Sequence, residues 1–149
     1  MASQLHYLTV QDILWINLQI TEKVNGYSFA KLEEATYYQY AYGESRQIES
    51  QAARFLKGFP KMQPLDQGND STTFVALITF LKLNGLEINL TDAKAGTWYR
   101  SVQTGETTAA QAVGQIAKST ASDHHHATDV RAIVRDVLKT YAKTLKSLD

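Results

Sequence analysis

The feature that constrains this chain most is the stretch of residues 71–84, which is apolar on nearly every side of a helix. Its apolar members are Phe74, Val75, Ala76, Leu77, Ile78, Phe80, Leu81 and Leu83. A helix that is apolar all round is stable only when other elements surround it, so we expect a central, buried helix. Asn84 and Gly85 are typical of a left-handed helix end and predict where this helix stops.

Helical spacing of apolar residues, together with capping residues, predicts further helices along the chain. They run from the cap Thr9 to Asn25-Gly26, from Ser28 through about Tyr42 to Gly43, from residue 47 to residue 59 before Pro60, from Thr91 through Tyr99, and from Thr107 or Thr108 through about Ser119. Residues 86–90 are predicted to be a short extended piece. The expected fold class is therefore all-α, a compact bundle around the central helix.

The composition changes towards the end of the chain. Residues 120–128 are small and polar, without a period, and predict a linker after a domain of residues 1–119. We interpret His124, His125 and His126 as part of this linker rather than as a metal site, because three consecutive side chains do not easily converge on one ion. Residues 129–149 predict an amphipathic helix that either folds back on the core or pairs with a second copy.

The charge balance narrows the function classes. Fifteen Lys and Arg balance fifteen Asp and Glu among 149 residues, so no overall field favours nucleic acid or an anionic membrane. The chain has no Cys, which excludes disulfides and thiolate metal sites. No apolar stretch approaches the roughly 20 residues of a membrane helix, and residues 1–8 lack the features of a secretory signal. We therefore expect a cytoplasmic protein that binds neither nucleic acid nor membranes.

The loop that leads into the central helix, residues 63–72 with the sequence QPLDQGNDST, has the composition of an anion-binding turn. The first amides of a helix have no partner within the helix and lie at the positive end of its dipole, which suits a phosphate. Gly68 and Asn69 tolerate the tight turn that such a site needs. They are predicted to bind an anion or nucleotide, although an ordinary capped helix explains the same residues.

This loop, followed by FLKLNGLEI at residues 80–88, resembles the signature region of the Fic/Doc family, and in particular its death-on-curing (Doc) branch. The family pattern is His-Pro-Phe-x-(Asp/Glu)-Gly-Asn-x-Arg-Thr before a buried helix that ends in Leu-Asn-Gly. Similar segments are LTVQD at residues 8–12, QAARFL at 51–56, and TGE at 104–106 leading into AVGQI at 112–116. The resemblance extends in order over residues 8–119.

The resemblance implies a helical fold that transfers AMP, or in the Doc branch a phosphoryl group, from a nucleotide to a protein hydroxyl. In the family pattern the His acts as base, the acidic residue holds Mg²⁺, the Gly-Asn backbone cradles phosphate and the Arg neutralises its charge. Here Gln63, Gln67 and Ser71 stand at the positions of the His, the acidic residue and the Arg, while Leu65 keeps the apolar role. A Gln amide has no basic lone pair, and Asp70 adds a negative charge where transfer needs positive charge.

We therefore predict a Fic/Doc-fold pseudoenzyme that has lost AMP and phosphoryl transfer and acts by binding or regulating a protein partner, for example in a toxin–antitoxin setting. The alternative is a nucleotide-dependent transferase that uses altered residues, such as Asp66 or Asp70, with ATP and Mg²⁺ over Gly68 and Asn69. We assign no catalytic residue, metal ligand or resident cofactor. The sequence also allows a homo-oligomer that forms through the C-terminal helix.

Overall fold

The computed structural model describes residues 6–40, 47–119 and 129–149. Within these ranges the chain forms eight helices and one two-stranded sheet. The helices are α1 (Val10–Thr21), α2 (Phe29–Tyr37), α3 (Ile48–Met62), α4 (Asn69–Leu83), α5 (Asp92–Gln103), α6 (Ala109–Ile116), α7 (Val130–Thr140) and α8 (Ala142–Leu145). The strands β1 (Leu86–Ile88) and β2 (Ala117–Ser119) pair antiparallel, with Leu86 opposite Ser119. The predicted mostly helical character is confirmed.

The central helix is α4, as the apolar run predicts. All of its residues except Asp70 and Lys82 are buried, and α1, α3 and α7 pack against it. It begins at Asn69 rather than near Ser71, and it ends where predicted, with Gly85 in the left-handed conformation at φ 86°. None of the described helices is long and apolar enough to cross a membrane.

Phe74 connects α4 to the helices that follow it in the chain. Its ring makes edge contacts with the rings of Trp98, Tyr99 and Tyr141, at centroid distances of 6.2, 6.3 and 5.0 Å. Trp98 also donates its indole N–H to the carbonyl of Ala112 at 2.9 Å, so the ring is buried without an unpaired donor. This aromatic cluster joins α4, α5, α6 and the segment after α7 into one core.

The ends of α1 and α2 lie earlier than predicted. The capping box of Thr9 starts α1 as expected, but the helix stops at Thr21 because Glu22 takes the left-handed conformation at φ 61° and donates its amide to the carbonyl of Leu18. α2 starts after the predicted cap Ser28 and ends at Tyr37. Tyr42 and Gly43, which were predicted to end α2, lie outside the described residues.

α3 and α5 are longer than predicted. α3 continues through Pro60 to Met62, because a proline in the last turn removes only one helical hydrogen bond. Gln63 then ends α3 in the left-handed conformation at φ 47°. α5 continues past Tyr99 to Gln103.

The prediction of a helix from residue 107 or 108 through Ser119 is wrong in its second part. Thr108 caps α6 with a capping box, but α6 ends at Ile116 and residues 117–119 form β2. Ala117 adopts extended backbone angles, and the carbonyl of Ile116 accepts a hydrogen bond from the amide of Asn89 at 2.7 Å. Pairing with β1 therefore overrides the local helical pattern.

The prediction of one C-terminal helix is also wrong, because α7 and α8 are separated at Tyr141. The Tyr141 hydroxyl donates to the carbonyl of Leu90 at 2.7 Å, and Asp92 accepts bonds from the first amides of the next turn. These contacts with a distant segment favour a bend over a straight helix. α7 lies against α4 of the same chain, with Val134 and Val137 fully buried.

Asp92 makes this C-terminal contact dependent on pH. Its carboxylate accepts hydrogen bonds from the Thr144 hydroxyl at 2.7 Å, the Thr144 amide at 3.0 Å and the Lys143 amide at 3.1 Å. The Thr144 hydroxyl, followed by the two amides, holds the pKa of Asp92 below its usual value of 3.8. A carboxylate with a lower pKa in the folded state stabilises the fold fully above its unfolded pKa, and this stabilisation is lost as the pH falls through the folded pKa.

We expect Asp92→Asn to lower the free energy of unfolding at about pH 6 and to have a smaller effect at about pH 3, which lies below the pKa of the carboxyl group in the unfolded chain. Urea unfolding of both proteins at the two pH values measures this difference. Glu87→Gln, on an exposed residue of β1, is the control and should change little at either pH. An effect of Asp92→Asn that is equal at both pH values would contradict the assignment.

Candidate functional site

The loop before α4 is fixed by the side chain of Asn69. The Oδ1 atom accepts the amide of Leu65 at 3.0 Å, and Nδ2 donates to the carbonyl of the same residue at 2.7 Å. Nδ2 also donates to Oε1 of Gln63 at 3.3 Å. Asn69 is buried, so its amide group serves the shape of the loop and does not face a ligand.

Asn17 of α1 holds the other side of the loop. Its Nδ2 donates to the carbonyl of Gln67 at 2.8 Å and to the hydroxyl of Thr72 at 3.1 Å, while its Oδ1 accepts from Asn25 at 2.9 Å. The side chain is only 2% exposed, so these bonds replace those it would make with water. The sequence analysis did not identify Asn17. A polar Asn on the buried face of α1, next to Ile16, could have indicated a side chain that needs buried hydrogen-bond partners.

The first amides of α4 are bonded to a carboxylate of the chain itself. The amide of Asp70 donates to Oδ1 of Asp149 at 3.0 Å, and the amide of Ser71 donates to Oδ2 at 2.8 Å. The Ser71 hydroxyl donates to the carbonyl of Leu145 at 3.3 Å. A carboxylate in this position satisfies helix amides that lack a partner and interacts favourably with the helix dipole. The donors are the amides of Asp70 and Ser71, two residues beyond the predicted pair, Gly68 and Asn69.

A second carboxylate, that of Asp70, lies at the same helix start. Its Oδ1 accepts the hydroxyl of Tyr99 at 2.7 Å. Burial, followed by the hydrogen bond to Asp70 and its negative charge, raises the pKa of Tyr99 well above its usual value of 10.0, so the hydroxyl stays protonated and donates. The carboxylates of Asp70 and Asp149 therefore give the start of α4 a negative potential, which opposes a bound phosphate.

Gln63 and Gln67, which the resemblance aligns with the base and the metal ligand, take part in contacts within the loop, Gln63 through its side chain and Gln67 through its backbone carbonyl. The amide of Gln63 donates to the carbonyl of Pro60 at 2.7 Å and accepts from Asn69, so it links the end of α3 to the start of α4. Gln67 is exposed, and its backbone carbonyl is the acceptor for Asn17. The structure thus brings Gln63 and Asn69 into contact through their amides, in a geometry that fixes the loop.

A pocket of about 440 Å³ lies beside the loop. Its walls include Ile20, Thr21, Gln67, Gly68, Ser71 and Asp149. Asp66, the candidate substitute for the acidic residue, is not part of this wall. Its amide bonds to the carbonyl of Gly26 at 3.0 Å, and its carboxylate lies against the same glycine.

The described residues contain no group of three or more His, Asp or Glu side chains that could hold a metal ion. His124, His125 and His126 lie outside the described residues.

Comparison with known proteins does not assign the chain to a family. No family model matches the chain, and no similar curated protein or solved structure is found.

Gly68 and Gly105 form a matched pair for testing how closely the loop packs. Both are left-handed, at φ 78° and φ 84°. A Cβ atom at Gly68 would lie 2.9 Å from Nδ2 of Asn17 and 3.0 Å from Cγ2 of Thr21, whereas one at Gly105 would meet nothing within 4 Å. Substitution at Gly68 therefore disturbs the Asn17 hydrogen bonds, and substitution at Gly105 does not.

We expect Gly105→Ala to cost about 1 kcal/mol of unfolding free energy, the cost of the left-handed backbone alone. Gly68→Ala should cost about 2 to 3 kcal/mol, because the added methyl group also displaces Asn17 from its buried partners. Urea unfolding of the two variants beside the wild type measures both values. Equal losses would show that Asn17 does not pack against the loop as described.

Proposed function

We propose that this protein is a catalytically silent, Fic/Doc-like protein that acts by binding another protein. The observation that carries this proposal is the pair of hydrogen bonds from the amides of Asp70 and Ser71 to the carboxylate of Asp149. Under the resemblance, the start of this helix is where the phosphates of a nucleotide would lie. An internal carboxylate that already bonds these amides competes directly with such a ligand.

The charges around the helix start support the same proposal. Phosphoryl and nucleotidyl transfer depend on positive charge around the phosphates, which in related chemistry comes from Arg, Lys or Mg²⁺. Here Asp70 and Asp149 are both acidic, and Ser71 is buried with its hydroxyl bonded to Leu145. The side chain at the position of the family's Arg therefore contributes no charge and has an internal partner.

The loop contacts also favour a structural role for the altered motif. Gln63 and Asn69 use their amides to connect α3, the loop and α4. Asn17 ties α1 to the same loop. These bonds stabilise the loop in the absence of a ligand. A protein that acts by binding a partner benefits from a loop that is already ordered.

One observation favours the alternative, a nucleotide-dependent transferase with altered residues. The pocket of about 440 Å³ adjoins Gly68 and has the size of a small-molecule site. Asp149 forms part of its wall, so a nucleotide that reached the helix amides would have to displace this carboxylate. The two proposals therefore differ in what happens when the carboxylate is neutralised.

Calorimetric titration of ATP with Mg²⁺ into the wild type and into Asp149→Asn separates them. We expect no binding heat in either protein at nucleotide concentrations up to about 1 mM, where a weak site would still register. The matched control is Asp136→Asn, which removes the exposed ion pair with Lys82 and leaves the helix start intact. Micromolar binding by the wild type would contradict the silent proposal, whereas binding by Asp149→Asn alone would show that the Asp149 carboxylate is what keeps the nucleotide out of the wild type.

Transfer itself is measured with labelled nucleotide. ATP labelled at the γ-phosphate reports phosphoryl transfer, and ATP labelled at the α-phosphate reports AMP transfer. We expect no label on candidate protein substrates or on the chain itself above the signal of a heat-denatured sample. Label that depends on folded protein would support the transferase.

A further inference from the structure

The large apolar side chains that are exposed in the described chain all come from one stretch, residues 18–37. They are Leu18, Val24, Tyr27, Phe29 and Tyr37. Val24 is 87% exposed and Phe29 is 58% exposed, which is unusual for side chains that gain from burial. Scattered apolar residues need no explanation, but a group of them on one face marks an interaction surface.

Three of these side chains border a groove of about 310 Å³, here called the α1 groove. Its main wall residues are Leu14, Trp15, Leu18, Lys23, Val24 and Tyr27. The segment after α1 is braced against the helix, because Nδ2 of Asn25 donates to Oδ1 of Asn17 and to the hydroxyl of Thr21 at 2.9 and 2.8 Å. The groove is therefore a preformed feature of the fold.

Positive charge lies at Lys23 and against Trp15, two wall residues of the α1 groove. The guanidinium carbons of Arg131 and Arg135 on α7 lie 4.8 and 5.9 Å from the ring centre of Trp15, and Lys23 is part of the wall. All three side chains are exposed, and none forms an ion pair with a carboxylate of the described residues. An occupant of the groove should thus combine apolar side chains with carboxylates.

The outward face of α2 has that combination. Leu32, Ala35 and Thr36 point into the core. The remaining side chains include Phe29 and Tyr37 and the charged residues Lys31, Glu33 and Glu34, so the two carboxylates outnumber the one ammonium group. α2 follows the groove directly in the chain, since Tyr27 borders the groove and α2 begins at Phe29. A groove with basic side chains next to it is therefore followed in the chain by a helix that presents apolar and acidic side chains.

We propose that this surface is a symmetric interface with a second copy of the chain, in which α2 of each copy lies on the α1 groove of the other. A two-fold axis makes every contact twice, so a surface that contains both a groove and its complement is self-complementary. Phe29 fills the partner groove, and Glu33 and Glu34 face Arg131 and Arg135. The formal net charge of zero adds no long-range repulsion between copies.

The same observations disfavour an anionic membrane as the occupant. The acidic side chains of α2 stand beside the groove and would repel anionic headgroups. The proposal goes beyond the proposed function and does not depend on whether a nucleotide binds, because the groove and the start of α4 are separate sites.

Sedimentation equilibrium tests for the dimer. We expect the mass of the wild type to rise from 16.7 kDa towards twice that value as the concentration increases from about 1 to 500 µM. Val24→Ser should weaken association by about tenfold or more, since this side chain is exposed in the free chain and buried in the dimer. Circular dichroism checks that the variant folds. Lys118→Glu, an exposed change on β2, is the control and should leave the dimer unchanged.

Charge reversal tests the pairing of α2 with the groove. The double variants Arg131→Glu with Arg135→Glu, and Glu33→Lys with Glu34→Lys, should each be monomeric, because like charges then face each other. An equimolar mixture of the two should associate again, since every contact in the mixed dimer joins opposite charges. If the substitutions prevented association only by unfolding the variants, mixing the two would not restore it.

A wild type that stays monomeric up to about 500 µM would overturn the proposal. So would a dimer that survives Val24→Ser, or a mixture of the charge variants that stays monomeric. If the monomer instead binds vesicles containing phosphatidylserine, or a synthetic peptide rich in Leu and Glu, and Val24→Ser abolishes this binding, the face belongs to another occupant and the second copy is excluded.

Discussion

The fold depends on how the buried helix α4 satisfies its first amides. Water does not reach most of this helix, because all of its residues except Asp70 and Lys82 are buried. The amides of its first turn have no partner within the helix and need an acceptor from outside it. The chain meets this requirement with Asp149, which bonds the amides of Asp70 and Ser71, while Asn17 and Asn69 bond the loop before them. The C-terminal segment, α1 and the loop are joined at this one point.

The same constraint bears on function. A helix start with open amides can hold a phosphate, but here the amides already have a charged acceptor, and a second carboxylate lies beside them. The side chains of Gln63 and Ser71 also have internal partners, the carbonyls of Pro60 and Leu145. The proposal of a silent binding protein rests on this arrangement. The amides and side chains that would have to bind a nucleotide already form hydrogen bonds within the chain.

Local signals predicted much of the fold, and long-range contacts account for what they missed. The apolar run gave α4, and the caps Thr9 and Thr108 gave the starts of α1 and α6. The pairing of β1 with β2 and the break at Tyr141 depend on partners far along the chain, so no local pattern reveals them. At the candidate site, the turn at Gly68 was predictable from its residue type. The Asp149 carboxylate was not, because only the folded chain brings it to Asp70 and Ser71.

Amide hydrogen exchange of Asp70 and Ser71, followed residue by residue by NMR, tests this account most directly. We predict slow exchange of both amides in the wild type, and faster exchange of these two in Asp149→Asn while amides in the middle of α4 stay protected. Fast exchange of Asp70 and Ser71 in the wild type, or no change in Asp149→Asn, would contradict the claim that the chain's own carboxylate occupies the start of α4.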